Sequence, residues 1–469
     1  MITDECREKS RFVSQGEVTL HGVRIPYNTV CEDNFFLSED GKTVASIFSY
    51  AYFRSDVADP STRPILFAYN GGPGCGSLWI HMGLFGPKRL KTGDELNISP
   101  VPPFELEENP HCLLDICDIV LVDPVGTGFG RLFDESKREE FYSTDGDVES
   151  LGMFIDNFLS RYNRHNSPIL LAGESYGTGR SALLVGELLG GSPKKSVMQG
   201  VAVSGVMLLG SFFFADVPVE KAVLDLPSMA ATYDFHMPHS DVSHEDFVKA
   251  AEAFAGGEYL TALYRNDFLS DGEKSAVAEK LSHFTGVDKA YILSHDLRIN
   301  MRDFMHLLLK DQDKVVGYYD SRYTWKELNS LKIANTIADD PAMGQYTPAF
   351  HSAFALMKQE LGITFDRRSD ALSFHINTTW DRKYQISPSD SLGLSMRRNK
   401  RLHVYFACGE YDLCTTSGMA KYLASHSHLD MDRVKIGVYP SGHMAYLGEE
   451  SARLLAKDMR DFFQKAIQG

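Results

Sequence analysis

Short runs in which every position is apolar punctuate the first half of the chain. Ile65-Leu66-Phe67-Ala68-Tyr69 and Ile119-Val120-Leu121-Val122 each stop at a glycine-rich loop, and the run Leu170-Leu171-Ala172 stops at Gly173. A strand with one wet face alternates apolar and polar residues, so continuous runs predict strands covered on both faces, as in a parallel sheet. A helical period occupies Ser150 to Arg161, a helix-compatible segment follows Gly177, and a further apolar strand is expected over Val201 to Leu209. This alternation predicts βαβ units, with ligand chemistry at the carboxyl ends of the strands.

The flanks of this region read differently. Val18 to Val30 and Thr43 to Phe53 are β-branched, aromatic and alternating, separated by Glu39-Asp40-Gly41-Lys42, which predicts an antiparallel, hairpin-like start. From about Ala215 to Gln345 amphipathic helical stretches take over, among them His244 to Phe254, Asp271 to His283 and Asp303 to Lys310. The α/β pattern then returns: helix at Tyr346 to Leu361, strand at His403 to Ala407, helix at Ser417 to Ser425, strand at Val434 to Tyr439 and helix at Glu449 to Ile467. The expected organisation is an α/β core over 1–214, a helical cap insertion over 215–345 and the second part of the core over 346–469.

Charge narrows the partners. Lys plus Arg number 47 against 63 Asp plus Glu, a net charge of −16, which argues against nucleic acid or an anionic membrane surface. No run approaches the roughly 18 apolar residues of a membrane span, and Met1 to Phe12 is charged, without the apolar core of a signal peptide. Read as a native start, this predicts a cytosolic protein. The seven cysteines are odd in number and form no CxxC pair, so they are expected to be reduced thiols.

Candidate chemistry gathers at the strand ends. Gly173-Glu174-Ser175-Tyr176-Gly177 is a GxSxG at the end of an apolar run, the pattern of a sharp strand-to-helix turn that lifts a serine hydroxyl above a sheet. Ser175 is therefore the candidate nucleophile. It needs a base and an orienting acid. Asp412 follows the strand at His403 to Ala407 and His443 follows the strand at Val434 to Tyr439, so both are placed in carboxyl-edge loops. The order Ser175, Asp412, His443 is that of an α/β hydrolase. An oxyanion hole is expected from backbone N–H groups of Asn70-Gly71-Gly72-Pro73-Gly74 and of Tyr176.

These blocks resemble a family. Asn70-Gly71-Gly72-Pro73-Gly74-Cys75, Gly173-Glu174-Ser175-Tyr176-Gly177, Gly442-His443-Met444 and the loop Asp123-Pro124-Val125-Gly126-Thr127-Gly128-Phe129 are similar to signature blocks of the serine carboxypeptidases. The resemblance implies an α/β-hydrolase fold, a mostly parallel sheet flanked by helices, and release of C-terminal residues from peptides through an acyl-enzyme. It implies Ser175 as nucleophile, His443 as base and then acid, and Asp412 as its orienter. It gives Gly72 and Tyr176 as oxyanion donors, and Asn70, Gly71 and Glu174 as binders of the substrate's terminal carboxylate. The expected partner is a peptide or small acyl substrate, with no metal or organic cofactor; oligomeric state stays open.

Three positions depart from the family pattern. Leu84 stands where a glutamate is common, Glu410 where an aspartate is common, and Gly177-Thr178-Gly179-Arg180 replaces the usual continuation of the turn. A hydrogen bond to a charged group is worth about 1.5–3 kcal/mol, so a lost carboxylate partner would weaken preference for a free C-terminus. An esterase or acyltransferase on the same three residues is the rival reading, and a catalytically silent binding protein a second one. Arg180 is expected to make a salt bridge on a helix surface. Gly126-Thr127-Gly128-Phe129-Gly130 lacks full dinucleotide-loop spacing, and His236-Met237-Pro238-His239 with His244 is read as a polar loop, not a metal site.

Overall fold

The strands that read as wholly apolar are wholly buried. Ile65–Tyr69 (β4), Asp118–Asp123 (β5), Ile169–Glu174 (β6) and His403–Gly409 (β8) bury every residue, and Val203–Leu209 (β7) buries all but Ser204. The computed structural model describes residues 10–93, 96, 98, 99, 101–190, 199–213, 220–328 and 337–468.

With Arg11–Leu20 (β1), Val23–Leu37 (β2), Thr43–Arg54 (β3) and Val434–Tyr439 (β9), these strands form one sheet in the order β1-β2-β3-β5-β4-β6-β7-β8-β9. The pairs from β5 through β9 are parallel, while β1, β2 and β3 join antiparallel. The two outermost strands have partly exposed faces, as edge strands do.

Alternate residues of each buried strand enter opposite layers. Phe67, Leu171, Val206 and Phe406 pack with the helices Thr144–Arg161, Tyr176–Gly190, Pro388–Arg398 and Ser417–His426. Leu66, Leu170, Met207 and Tyr405 pack with Pro341–Glu360 and Glu449–Gln468. Apolar area removed from water on both faces supplies about 25 cal/mol per Å², which is why these strands carry no polar alternation.

Several boundaries differ from the sequence reading, for local reasons. Val18 to Val30 is broken by a turn at His21 and Gly22, whose φ angles are 51° and 78°, so the start is a three-stranded meander. The helix expected from Ser150 begins at Thr144, because the Ser143 side chain accepts from the Gly146 N–H. The helix expected from Tyr346 begins at Pro341, behind the cap residue Asp340. Phe374–Thr379 and Pro388–Arg398 are helices that the pattern did not reveal.

The insertion contains the helices Lys221–His236, His244–Phe254, Asp271–Thr285 and Met301–Leu307. They bury their own core, including Leu226, Phe247, Leu281 and Phe304, and that core takes in Leu413 from the loop after β8. The expected division between 214 and 215, like Cys6 and Phe214, falls outside the described residues. Among the described residues, no helix is long and apolar enough to cross a membrane.

Leu413 is fully buried in the insertion's core. Leu413→Ala is expected to destabilise the fold by about 2–5 kcal/mol, seen as a lower midpoint of thermal unfolding.

Candidate active site

Between Ile169 and Val185 only Ser175 is not buried. Its φ of 58° is left-handed, a conformation few side-chain-bearing residues adopt. It is held by three hydrogen bonds: the Ser175 N–H donates to Leu209 O of β7 (2.8 Å), and Ser175 O accepts from the Thr178 N–H (2.9 Å) and the Thr178 hydroxyl (2.6 Å). The turn is so tight that a Cβ on Gly173 would lie 2.1 Å from Gly177 O. Gly71 meets the turn from outside, where a Cβ would lie 2.5 Å from the Tyr176 nitrogen. The loop carrying Gly72 therefore lies against the start of the helix after Ser175. Gly72 is partly exposed, while its neighbours Asn70, Gly71, Pro73 and Gly74 are buried.

The loops after β8 and β9 bring the other two expected residues together. His443 Nδ1 lies 2.8 Å from Asp412 Oδ2. Asp412 is fully buried and accepts from the N–H groups of Cys414 (2.8 Å) and Thr415 (2.9 Å) and from the Thr415 hydroxyl (2.5 Å). Burial opposes a charge on His443, but the Asp412 carboxylate beside it prevails and holds its pKa above the usual histidine value. Such an imidazole can accept a proton and keep it next to an anion.

Behind the serine, Glu174 is joined to Asn70. Asn70 Nδ2 and the Tyr446 hydroxyl each donate to Glu174 Oε2 at 2.9 Å. Both Asn70 and Glu174 are buried. Burial is the main force on the glutamate and pushes its pKa up to about 7, against the pull of His443, Tyr446 and Asn70. Tyr446 and Thr415 belong to the site and were not found from sequence; a tyrosine three residues past a histidine carries no motif.

The three departures resolve structurally. Arg180 is not on a surface: it is fully buried, donates to Asp147 Oδ2 (2.6 Å) and Asn70 O (2.7 Å), and lies over the Tyr69 and Tyr176 rings. Sequence periodicity placed Arg180 on a helix whose solvent face is covered. Leu84 is buried in the main core, and Glu410 pairs with His244 of the insertion (3.4 Å).

The loop after β5 is fixed by Asp123. Its carboxylate accepts from the Ser77 N–H (2.7 Å) and hydroxyl (2.8 Å), the Phe129 N–H (3.0 Å) and the Tyr50 hydroxyl (3.0 Å). Asp412, Cys414 and His443 offer ligand atoms within 4.8 Å of one another. Two of the three already serve each other, since His443 Nδ1 and Asp412 Oδ2 are hydrogen-bonded. His239 and His244 both turn to Asp234 (2.8 and 2.7 Å), and His236 meets Ser321 O.

A mostly parallel sheet with a left-handed serine at one strand end and a histidine–aspartate pair in two later loops defines the α/β-hydrolase class. Within it, the family profile described as serine carboxypeptidase matches residues 36–429, and the chain belongs to that family. It is 32% identical over 137 residues to serine carboxypeptidase S10 family member 1 of Dictyostelium discoideum, covering 29% of each chain. It is 30% identical over 141 residues to the pheromone-processing carboxypeptidase KEX1 of Phaeosphaeria nodorum, covering 29% of this chain and 19% of the relative. These alignments thus span less than a third of either relative. The crystal structure of Kex1(delta)p, a prohormone-processing carboxypeptidase from Saccharomyces cerevisiae, superposes with a TM-score of 0.57 at 14% identity, covering 97% of this chain and 92% of that one. At that identity the likeness shows a shared fold.

Asp147 and Arg180 form a buried ion pair at the foot of the site. Removing one partner leaves an uncompensated charge, so Asp147→Ala is expected to cost about 3–5 kcal/mol, whereas Asp147→Leu with Arg180→Met recovers most of it. Denaturant midpoints of the two variants check this.

Proposed function

We propose that the protein is a serine carboxypeptidase that releases the C-terminal residue of peptides through an acyl-enzyme. The observation that carries this is the joint placement of Ser175 in a left-handed turn and His443 against Asp412 at one edge of the sheet, in a chain of the serine carboxypeptidase family. In this reading the Ser175 hydroxyl attacks the scissile carbonyl as His443 takes its proton. Asp412 holds the imidazole and stabilises its charged form. The N–H groups of Gly72 and Tyr176 receive the oxyanion, a donor of this kind being worth about 3 kcal/mol. His443 then returns the proton to the leaving amine, and water attacks the acyl-enzyme in the same manner to free the product and Ser175.

Asn70, Gly71 and Glu174 are proposed to receive the terminal carboxylate. A protonated Glu174 can donate to that carboxylate; an ionised one repels it. With its pKa near 7, binding of free-acid substrates weakens as pH rises through neutrality. The raised His443 pKa acts on the other limb, since His443 must be neutral to act as base and loses that form in acid. The two limbs oppose each other and leave a narrow optimum for free-acid peptides, its acid flank set by His443 and its alkaline flank by Glu174 near pH 7.

The burial of Leu84, where a second carboxylate-binding acid is common, favours keeping an esterase or acyltransferase reading in view. The six described cysteines are free thiols, which supports a reducing compartment such as the cytosol as part of the proposal.

The deciding assay is release of the C-terminal residue from N-blocked dipeptides, with matching C-terminal amides and simple esters, and Ser175→Ala as control. Cleavage of free acids well above amides, lost in the control, is the expected outcome; ester turnover without peptide turnover would replace the peptidase reading. KM for free acids is expected to rise as pH passes about 7 while KM for amides does not. Glu174→Gln should flatten that rise. A KM that climbs equally in Glu174→Gln removes Glu174 from carboxylate binding.

A further inference from the structure

Asp412 and His443 sit on loops of two different strands, so their 2.8 Å contact depends on how the two loops are held relative to each other. One link is direct, from the Tyr411 N–H to Ser441 O (3.0 Å). The rest comes from a segment at the end of the insertion that no sequence motif marked. Leu413 N–H donates to Tyr318 O (3.1 Å), Ser321 N–H to Tyr411 O (3.0 Å) and His443 N–H to Tyr319 O (2.6 Å). Residues 318–321 thus bond on both sides of Asp412 and at His443 itself. The approach is close enough that a Cβ on Gly442 would lie 2.4 Å from both Tyr319 O and Asp320 Cβ.

A buried ion pair stiffens this segment and reaches the histidine loop. Arg322 grips Asp320 with both ends of its fork, Nε to Oδ1 at 3.0 Å and Nη2 to Oδ2 at 2.7 Å. Its Nη1 donates to Pro440 O (3.0 Å), and Nη2 lies 3.4 Å from the Ser441 hydroxyl. The guanidinium stands over the Tyr411 ring, one residue from Asp412. Both side chains are about 95% removed from solvent, at 5% and 3% exposed. A buried pair is weak evidence for stability, because apolar residues of the same volume do as well or better. What apolar residues cannot supply is a planar fork aimed at the carbonyl three residues before His443.

We propose that Asp320 and Arg322 are positioning residues that set His443 against Asp412, joining the helical insertion to the reaction centre. This rests on the reading of Ser175, Asp412 and His443 given above. Misplacement of a catalytic group by about 1 Å can cost on the order of 100-fold, so loosening the loop should act on rate more than on binding.

The test measures the rate of Ser175 labelling by a fluorophosphonate, and kcat and KM on a blocked dipeptide, well below each variant's unfolding midpoint. Wild type is compared with Arg322→Lys, Arg322→Met and the double variant Asp320→Leu with Arg322→Met. Arg322→Met is expected to lower labelling and kcat by about 10- to 100-fold with KM within about twofold. The double variant, with no unpaired charge, should regain the wild-type midpoint without regaining the rate. Arg322→Lys, which keeps the charge but not the fork, should fall between. A double variant with wild-type labelling, or an Arg322→Lys that keeps both midpoint and full rate, overturns the proposal. If Arg322→Met does not fold, the other two decide. The wild-type arm tests the underlying reading: no labelling removes Ser175 as nucleophile, and the proposal with it, while labelling without peptide cleavage changes only the substrate class.

Discussion

The left-handed backbone of Ser175 is the constraint on which the rest of the site depends. A non-glycine residue in that region costs on the order of 1–3 kcal/mol and persists only where its surroundings over-determine it. Here they do, through Leu209 O on one side and Thr178 on the other. Once the serine is fixed, the space around it is fixed too. Gly173 has no room for a side chain against Gly177 O, and the Asn70-Gly71-Gly72 loop can close on the Tyr176 nitrogen only because Gly71 has none. The same strain that lifts the serine therefore draws in the loop whose N–H groups would face an oxyanion.

Beneath these loops lies a layer of buried carboxylates, each used as a fastener. Asp123 ties the Ser77 turn to Phe129 and Tyr50. Asp147 holds Arg180, which in turn donates to Asn70 O. Glu174 accepts from Asn70 and Tyr446. Unpaired, each would cost several kcal/mol in such surroundings, so the loops are locked to one another by the need to satisfy them. Asp412 and Glu174 show how donors divide the work between two acids. Asp412 collects Cys414, Thr415 and His443 around it, whereas Glu174, buried, accepts from two neutral donors and has its pKa pushed up to about 7.

The parts of this arrangement that were legible in the sequence are those that leave a local trace. Strands buried on both faces lose their polar alternation, as Ile65–Tyr69 does. A glycine-flanked serine after such a strand announces the turn, and chain order places Asp412 and His443 in later loops. What stayed hidden depends on partners far apart in the chain. Arg180 read as a surface residue because helical period alone cannot show that Pro388–Arg398 and the loop at Asn70 cover its helix. Tyr446, Thr415 and the Asp320–Arg322 pair lie outside any motif. Their roles exist only once β6, β8, β9 and the insertion converge. The turn at His21-Gly22 was missed for a simpler reason: histidine at positive φ is uncommon, and one glycine within an alternating stretch reads equally well as a strand interruption.

Resemblance and geometry do not bear equally on the three proposed catalytic residues. The family profile ends at residue 429, so it takes in Ser175 and Asp412 but stops short of His443. The histidine rests instead on its Gly442-His443-Met444 block, its place after a strand, and the structure. It lies four residues past β9, in a loop whose strand is parallel and adjacent to the one before Asp412. Its ring meets Asp412 Oδ2 through Nδ1, its N–H is held by Tyr319 O, and the Tyr319 ring stands edge-on to it at 5.4 Å. A histidine that were merely packed would need none of these to coincide. Because the Nδ1 contact fixes which nitrogen faces the acid, it leaves Nε2 as the one available for proton transfer. The insertion, through Tyr319, is thereby hydrogen-bonded to the histidine proposed as base, which ties the least recognisable portion of the chain to the candidate site.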